Sequence, residues 1–227
     1  MLKAVVFDLD GTLTVLNLPL DAMRKDTKTY FISKGVPTEL FEPADGISSS
    51  TTKAREYFLS IGISPARWKK YESEMDTILD KHEASATKQV ILMEDTVEAI
   101  NGIKDLGLKT AILTNNGRVS VNAILEQTEL GDLFDIIQTR HESPRAKPFP
   151  DGLLKIVARL DVERNEAIYV GDAGIDAVAA KRAGIEFWGV TTGEIDRESL
   201  LRAGALMTLE SLSRVLAAVR NRIGADK

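Results

Sequence analysis

Two aspartates near the start of the chain carry its first chemical signal. Val6-Phe7-Asp8-Leu9-Asp10-Gly11-Thr12-Leu13 follows an apolar run, Ala4 to Phe7, that reads as a short buried strand. In extended backbone, i and i+2 side chains point the same way. The carboxylates of Asp8 and Asp10 are therefore expected to meet at the strand's C-terminal end, where open α/β sheets place their ligands. Paired acids there suit a hard cation, or a nucleophile beside an acid/base. Asp-x-Asp-Gly also occurs in plain turns and calcium loops, so this segment alone leaves that reading open.

Three later segments end in similar side chains. In Ile112-Leu113-Thr114-Asn115-Asn116, an apolar run stops at a hydroxyl and an amide, just before a helix expected to start near Arg118. Such a helix entrance suits a phosphate, and Thr or Asn serves equally well as an ordinary cap. In Arg145-Ala146-Lys147-Pro148, the proline restricts Lys147 to extended backbone in a loop. A lysine held there can neutralise a phosphate oxygen or a carboxylate, or serve only solubility. Ile168-Tyr169-Val170-Gly171-Asp172 is an apolar run ending in Gly-Asp, with Asp176 four residues on. That spacing puts both carboxylates on one face of the next helix or at its start. The helix dipole alone would also favour an acid there.

The elements that must position these groups alternate from Asp95 onward. A helix stripe runs Val97, Ile100, Ile103, Leu106, with Asp95-Thr96-Val97-Glu98 as a capping box. Strands are expected at 110–113, 134–137, 167–170 and 185–190, and helices at 119–127, 150–160 and 173–183. A stripe from Leu209 through Leu212, Val215, Leu216, Val219 and Ile223 gives a final helix. Strands alternating with helices imply an α/β fold, a Rossmann-like doubly wound and mainly parallel sheet covered on both faces.

Residues 17–88 break that rhythm. Leu20, Met23, Tyr30 and Phe31 form one helical stripe, and Trp68, Tyr71, Met75, Ile78 and Leu79 another, with no strand between them. We read these aromatics as packing and the segment as an inserted helical domain, leaving 1–16 and 89–227 as the core.

Composition narrows the function classes. The 227 residues include no cysteine, which removes thiol catalysis, thiolate metal sites and disulfides and fits a cytoplasmic protein. The start of the chain has no signal-peptide pattern, and no apolar run approaches the ~20 residues of a membrane span. A net charge of −5 argues against nucleic acid as partner.

Taken in order, the acid pair, the strand-end Thr, the isolated Lys-Pro and Gly-Asp-x-x-x-Asp resemble the haloacid dehalogenase-like hydrolase superfamily, in its phosphatase branch. The resemblance covers nearly the whole chain, and its helical insertion is similar to the cap of the phosphoglycolate phosphatase and β-phosphoglucomutase type. It implies a Mg²⁺ cofactor and an aspartyl-phosphate intermediate. On this resemblance Asp8 is the nucleophile and a metal ligand. Asp10 is the acid/base and gives its backbone carbonyl to the metal. Thr114 and the amide of Asn115 hold the phosphoryl group, Lys147 bridges that group and Asp8, and Asp172 is a metal ligand. Asp176 acts through a metal-bound water or by orienting Lys147. Asp10 argues against dehalogenation, since dehalogenases of the family lack that second acid. Thr12, where many mutases carry Val, ranks a phosphatase above a phosphosugar mutase. A non-catalytic binder of phosphorylated ligands would not need Asp10.

The four segments read only the phosphoryl group, so the insertion is expected to supply specificity. Ala44 to Lys53 is a polar, glycine-containing break between helices, and it offers Ser48, Ser49 and Lys53 as contacts to the leaving group. The same stretch could be only an ST-rich helix cap. Arg118 is a further candidate. Hinges are expected near 13–16 and 88–91. The expected substrate is a small phosphorylated metabolite, handled by a monomer or homodimer. His82 and His141 receive no catalytic role.

Overall fold

Val5 and Phe7 pack into one apolar layer, while Ala4 and Val6 pack into another. A strand buried on both faces belongs inside a parallel sheet, and the computed structural model, which describes residues 1–225, has that sheet. Its strands are β1 (Ala4–Phe7), β2 (Lys109–Leu113), β3 (Ile136–Gln138), β4 (Ala167–Gly171), β5 (Glu186–Val190) and β6 (Met207–Leu209), in the order β3-β2-β1-β4-β5-β6 with every neighbouring pair parallel. One face is covered by α4 (Thr96–Asp105), α5 (Arg118–Gln127) and α9 (Leu212–Ala225), the other by α6 (Asp151–Arg159), α7 (Gly174–Ala183) and α8 (Arg197–Ala203). Chain order reverses between β1 and β4, and such a switch point opens a crevice beyond the strands' carboxyl ends. Asp8, Thr114 and Asp172 each follow directly on a strand at this edge.

The chain divides into two units, one made of Met1–Asn17 and the residues from Gln89 on, the other of Leu18–Lys88. The second holds only helices: α1 (Leu20–Ser33), α2 (Ile47–Ser60), α3 (Pro65–Ala86) and a short 3-10 turn, Thr38–Leu40. Its core contains the expected stripes, with Phe31 stacked on Trp68 at 5.9 Å between ring centroids. The ends of the first unit's two segments pair: Val15 N–H donates to Ile91 O, and Met93 N–H to Leu13 O.

Three local expectations need correction. Helix α2 begins at Ile47, so Ser48, Ser49 and Lys53 sit within its first two turns and not in a loop. Their hydroxyls can bond locally, and Ser49 Oγ donates to Gly46 O. Leu209 belongs to β6, and with α8 this unpredicted short strand precedes the last helix. The capping box at Asp95 does not form. Its carboxylate instead accepts from the N–H and Oγ of Ser213, in the first turn of α9. The reason is packing: α4 meets α9 so closely that a Cβ on Gly102 would come within 2.6 Å of Leu216 Cδ2. That brings the electropositive start of α9 to Asp95, and charge-assisted bonds to its free donors outcompete a local cap.

Asp95 thus fastens one helix to the start of another. Asp95→Ala is expected to cost about 0.5–2 kcal/mol in urea unfolding, the range for losing a cap. Its effect should fall short of additivity with Ser213→Ala by about 0.5 kcal/mol or more. Strictly additive losses would mean the contact carries no stability.

Candidate active site

At the end of β1 the backbone turns through Gly11, whose φ is +80°. A Cβ there would lie 2.4 Å from Asp172 Oδ2, so both the turn and the neighbouring carboxylate require glycine. Asp8, Asp172 and Asp176 are all buried, each offering an oxygen within 4.8 Å of the others'. Lys147, buried as well, enters among them. Its Nζ donates to Asp8 Oδ1 at 2.6 Å, to Asp176 Oδ1 at 2.7 Å and to Tyr169 OH at 3.1 Å. An ammonium has three donors and no acceptor, and these three bonds match them.

Each acid is oriented by its own donors. Thr12 Oγ1 donates to Asp172 Oδ1 at 3.1 Å, and Glu194 N–H donates to Asp172 Oδ2 at 2.7 Å. Asp172 precedes α7 and does not cap it. Asp176, inside the first turn of α7, takes the Ala173 N–H on Oδ2 at 3.0 Å. Asp10 Oδ2 accepts from Asn116 Nδ2 at 2.7 Å. Asn116 N–H in turn donates to Thr114 Oγ1 at 3.0 Å, so Thr114 shapes the turn before α5 instead of capping the helix, whose N-cap is Gly117. The Asn115 side chain clamps Lys147: its Nδ2 donates to Lys147 O at 3.0 Å, and its Oδ1 accepts from Lys147 N–H at 2.9 Å.

The structure therefore brings Asp8, Lys147, Asp172 and Asp176 into one cluster, and links Asp10 to Thr114 through Asn116. Arg118 stands apart from these bonds. Its guanidinium is bound to both carboxylate oxygens of Glu142 and to Ile137 O. In the helical unit, Lys53 Nζ is bound to Asp45 Oδ2 at 2.7 Å and to Glu42 Oε1 at 3.3 Å.

Several of the site's supports were not anticipated: Tyr169, Asn116, and the Thr192-Gly193-Glu194 turn after β5. Thr192 Oγ1 donates to Gly11 O at 2.6 Å. A Cβ on Gly193 would sit 1.9 Å from Asp172 Oδ2. The signal for this turn was present, since Thr191-Thr192-Gly193 is another polar, glycine-bearing strand end on the same edge of the sheet.

Charge decides what the cluster can hold. Burial, reinforced by Asp176, pushes the Asp8 carboxyl well above the usual carboxylate range although Lys147 opposes the shift. Burial and then Asp176 push Asp172 up to about 7. Burial alone would lower the basicity of Lys147, but Asp176 and Asp8 outweigh it and hold the ammonium protonated. Three buried carboxylates share one ammonium, and the surplus negative charge calls for a cation. All the donors are oxygens, the set a hard divalent ion prefers.

A pH dependence follows for the ion-free protein. Asp172 titrates near 7 in the folded chain, against 3.8 for an ordinary aspartate, so between these values the folded state holds the extra proton. The stability this group contributes is complete below about pH 4 and is lost as pH rises through about 7. In EDTA, the melting temperature should fall across that interval, and less steeply in Asp172→Asn. Equal slopes in the two proteins would remove Asp172 as the source.

Comparison with known proteins places the chain in a family. The family model described as haloacid dehalogenase-like hydrolase matches residues 5–190. The pyrophosphatase PpaX of Anoxybacillus flavithermus is 27% identical over 217 residues, covering 95% of this chain and 96% of that protein. The phosphoglycolate phosphatase of Vibrio vulnificus is 26% identical over 220 residues, covering 96% of each. The crystal structure of a hydrolase from Pseudomonas syringae superposes with a TM-score of 0.63 at 22% identity, over 96% of this chain and 98% of that one, a likeness of fold. On the sequence match and the sheet that carries it, this chain is a member of the haloacid dehalogenase-like hydrolases.

Proposed function

We propose that the protein hydrolyses a small phosphomonoester, in the manner of a phosphoglycolate phosphatase, with Mg²⁺ and a phosphoryl group carried transiently on Asp8. The observation that most supports this is the seating of Lys147 on Asp8 Oδ1 at 2.6 Å, with a carboxylate cluster alongside and Asp10 on a separate tether. A carboxylate meeting a phosphate dianion faces charge repulsion. An ammonium fixed on the attacking group offsets part of it as the bond forms. Bound Mg²⁺, held by Asp8, the Asp10 carbonyl and Asp172, would supply further charge neutralisation.

Asp8 attacks phosphorus and displaces the alkoxide, which takes a proton from Asp10. Asp10, now a carboxylate, takes a proton from water as the water oxygen attacks phosphorus. Phosphate leaves, and the Asp8 carboxylate and protonated Asp10 return. Asn116 holds Asp10 in one orientation for both proton transfers. Thr114 and the Asn115 amide bind the phosphoryl oxygens. The helical unit, Leu18–Lys88, supplies the selectivity for the leaving group, with Ser48, Ser49 and Lys53 as its candidate residues. Lys53 would have to be shared with Asp45 and Glu42.

The test is phosphate release from p-nitrophenyl phosphate and from a panel that includes phosphoglycolate, sugar phosphates, nucleotides and pyrophosphate. Turnover should require Mg²⁺ and vanish in Asp8→Asn. Asp10→Asn should lose about 10²–10⁴-fold in kcat, the usual weight of an acid/base, and accumulate protein heavier by one phosphoryl group. An Asp8→Asn protein that still turns over would end the proposal.

A further inference from the structure

Tyr169 is a buried, ionisable side chain to which the reaction above gives no task. It lies in the middle of β4, where all five residues are buried and the ring packs against Phe187 at 6.0 Å between centroids. Phenylalanine would fill that apolar layer equally well. A phenol hydroxyl in such a place is costly unless it is bonded, so its partners bear on why it is there. They are Lys147 Nζ at 3.1 Å and Asp176 Oδ1 at 2.8 Å, with Leu113 O more distant at 3.5 Å.

The direction of each bond is fixed by the atoms. Lysine can only donate, so the phenol oxygen accepts from Lys147. The single phenol proton then goes to Asp176, the nearer acceptor. Burial, with the charges of Asp176 and Asp8, raises the phenol's pKa well above its ordinary value, so this proton is retained. Lys147, Asp176 and Tyr169 close a three-membered ring of hydrogen bonds. Two of the lysine's three N–H bonds are used within that ring, and the third is left pointing at Asp8 Oδ1.

We propose that Tyr169 is a positioning residue: its hydroxyl seats the Lys147 ammonium so that one N–H is held on the nucleophile, Asp8. The backbone of Lys147 is fixed independently by the Asn115 clamp. Its side chain still has four rotatable carbons between that clamp and the charge. Asp176 alone gives the tip one anchor and leaves rotation about it. The phenol oxygen is the second anchor, and with two the N–H toward Asp8 has a defined direction. A small displacement of a charged group at the reacting atoms is enough to slow a reaction markedly.

This inference rests on Asp8 being the nucleophile, and the test separates the two. Tyr169→Phe removes one oxygen and leaves the ring in place. Measured per folded molecule, its kcat on p-nitrophenyl phosphate should fall about 10- to 100-fold, with the Mg²⁺ concentration for half activation unchanged. In a Lys147→Arg background the same substitution should change kcat by less than about twofold, because the seat no longer has its occupant. A residue that only supports the fold would lower the melting temperature, leave kcat per folded molecule alone, and act equally in both backgrounds. The crystal structure of Tyr169→Phe gives a readout free of activity, and Lys147 Nζ should there lie beyond about 3.5 Å from Asp8 Oδ1. If the wild-type protein hydrolyses no phosphomonoester, the functional reading fails and that distance alone decides the seat. An unmoved Lys147 with an unchanged kcat overturns the proposal.

Discussion

A single buried ammonium holds this site together. Lys147 lies out of reach of water between Asp8 and Asp176, and taking three such charges from solvent costs several kcal/mol per ion before any attraction is counted. Good geometry and complete hydrogen bonding are what make the arrangement tolerable, and every donor on that nitrogen is matched. The partners come from the end of β1, the middle of β4 and the first turn of α7, and β1 and β4 lie side by side where the sheet reverses its order. The fold's main contribution to chemistry is to make three distant stretches of chain share one charge.

Glycine makes that convergence sterically possible. Asp172 is enclosed by backbone on two sides, at Gly11 and Gly193, and Asp176 lies against Gly171 with a hypothetical Cβ 2.7 Å from its Cγ. Gly11 and Gly193 lie outside the strands, and Gly171 is the last residue of β4. Each is a place where a carboxylate approaches main chain closely enough to take an N–H or to exclude water. Gly102, by contrast, serves packing between α4 and α9. The two uses look alike in a sequence and separate only when the neighbour of the absent Cβ is known.

That distinction marks how far the sequence could be read. Strand ends were legible, because an apolar run that stops at Asp, Thr or Gly-Asp signals where an element stops; Asp8, Thr114 and Asp172 each follow a strand as read. Lys147 was legible through its proline. Supports that act across the sheet were not. Nothing local tells that the Asn115 amide will grip the backbone of Lys147, 32 residues away, or that the Tyr169 oxygen will accept from Lys147 while its ring packs in the core. Asp95 misled for a related reason: the local capping box was a sound pattern, and a helix 118 residues further on offered better donors. The Ser-Thr run from Ser48 to Thr52 misled differently. Three of its hydroxyls, those of Ser49, Thr51 and Thr52, bond carbonyls three or four residues back, so a polar stretch became a helix start.

Charge balance decides what the assembled cluster can accept. Asp8, Asp172 and Asp176 outnumber Lys147 when ionised, and the raised proton affinities of Asp8 and Asp172 come from burial first and then from the neighbouring carboxylate of Asp176. A phosphate dianion alone would deepen the surplus and be repelled. A divalent cation alone would cancel it and leave the site neutral. A cation and a dianion bound together would therefore each reduce the cost of the other. Lys147 limits how far this goes, since its fixed positive charge keeps the carboxylates from binding cations as tightly as an all-acid site would. A cluster balanced in this way would favour exchange of an anion over its tight retention, as the proposed turnover requires.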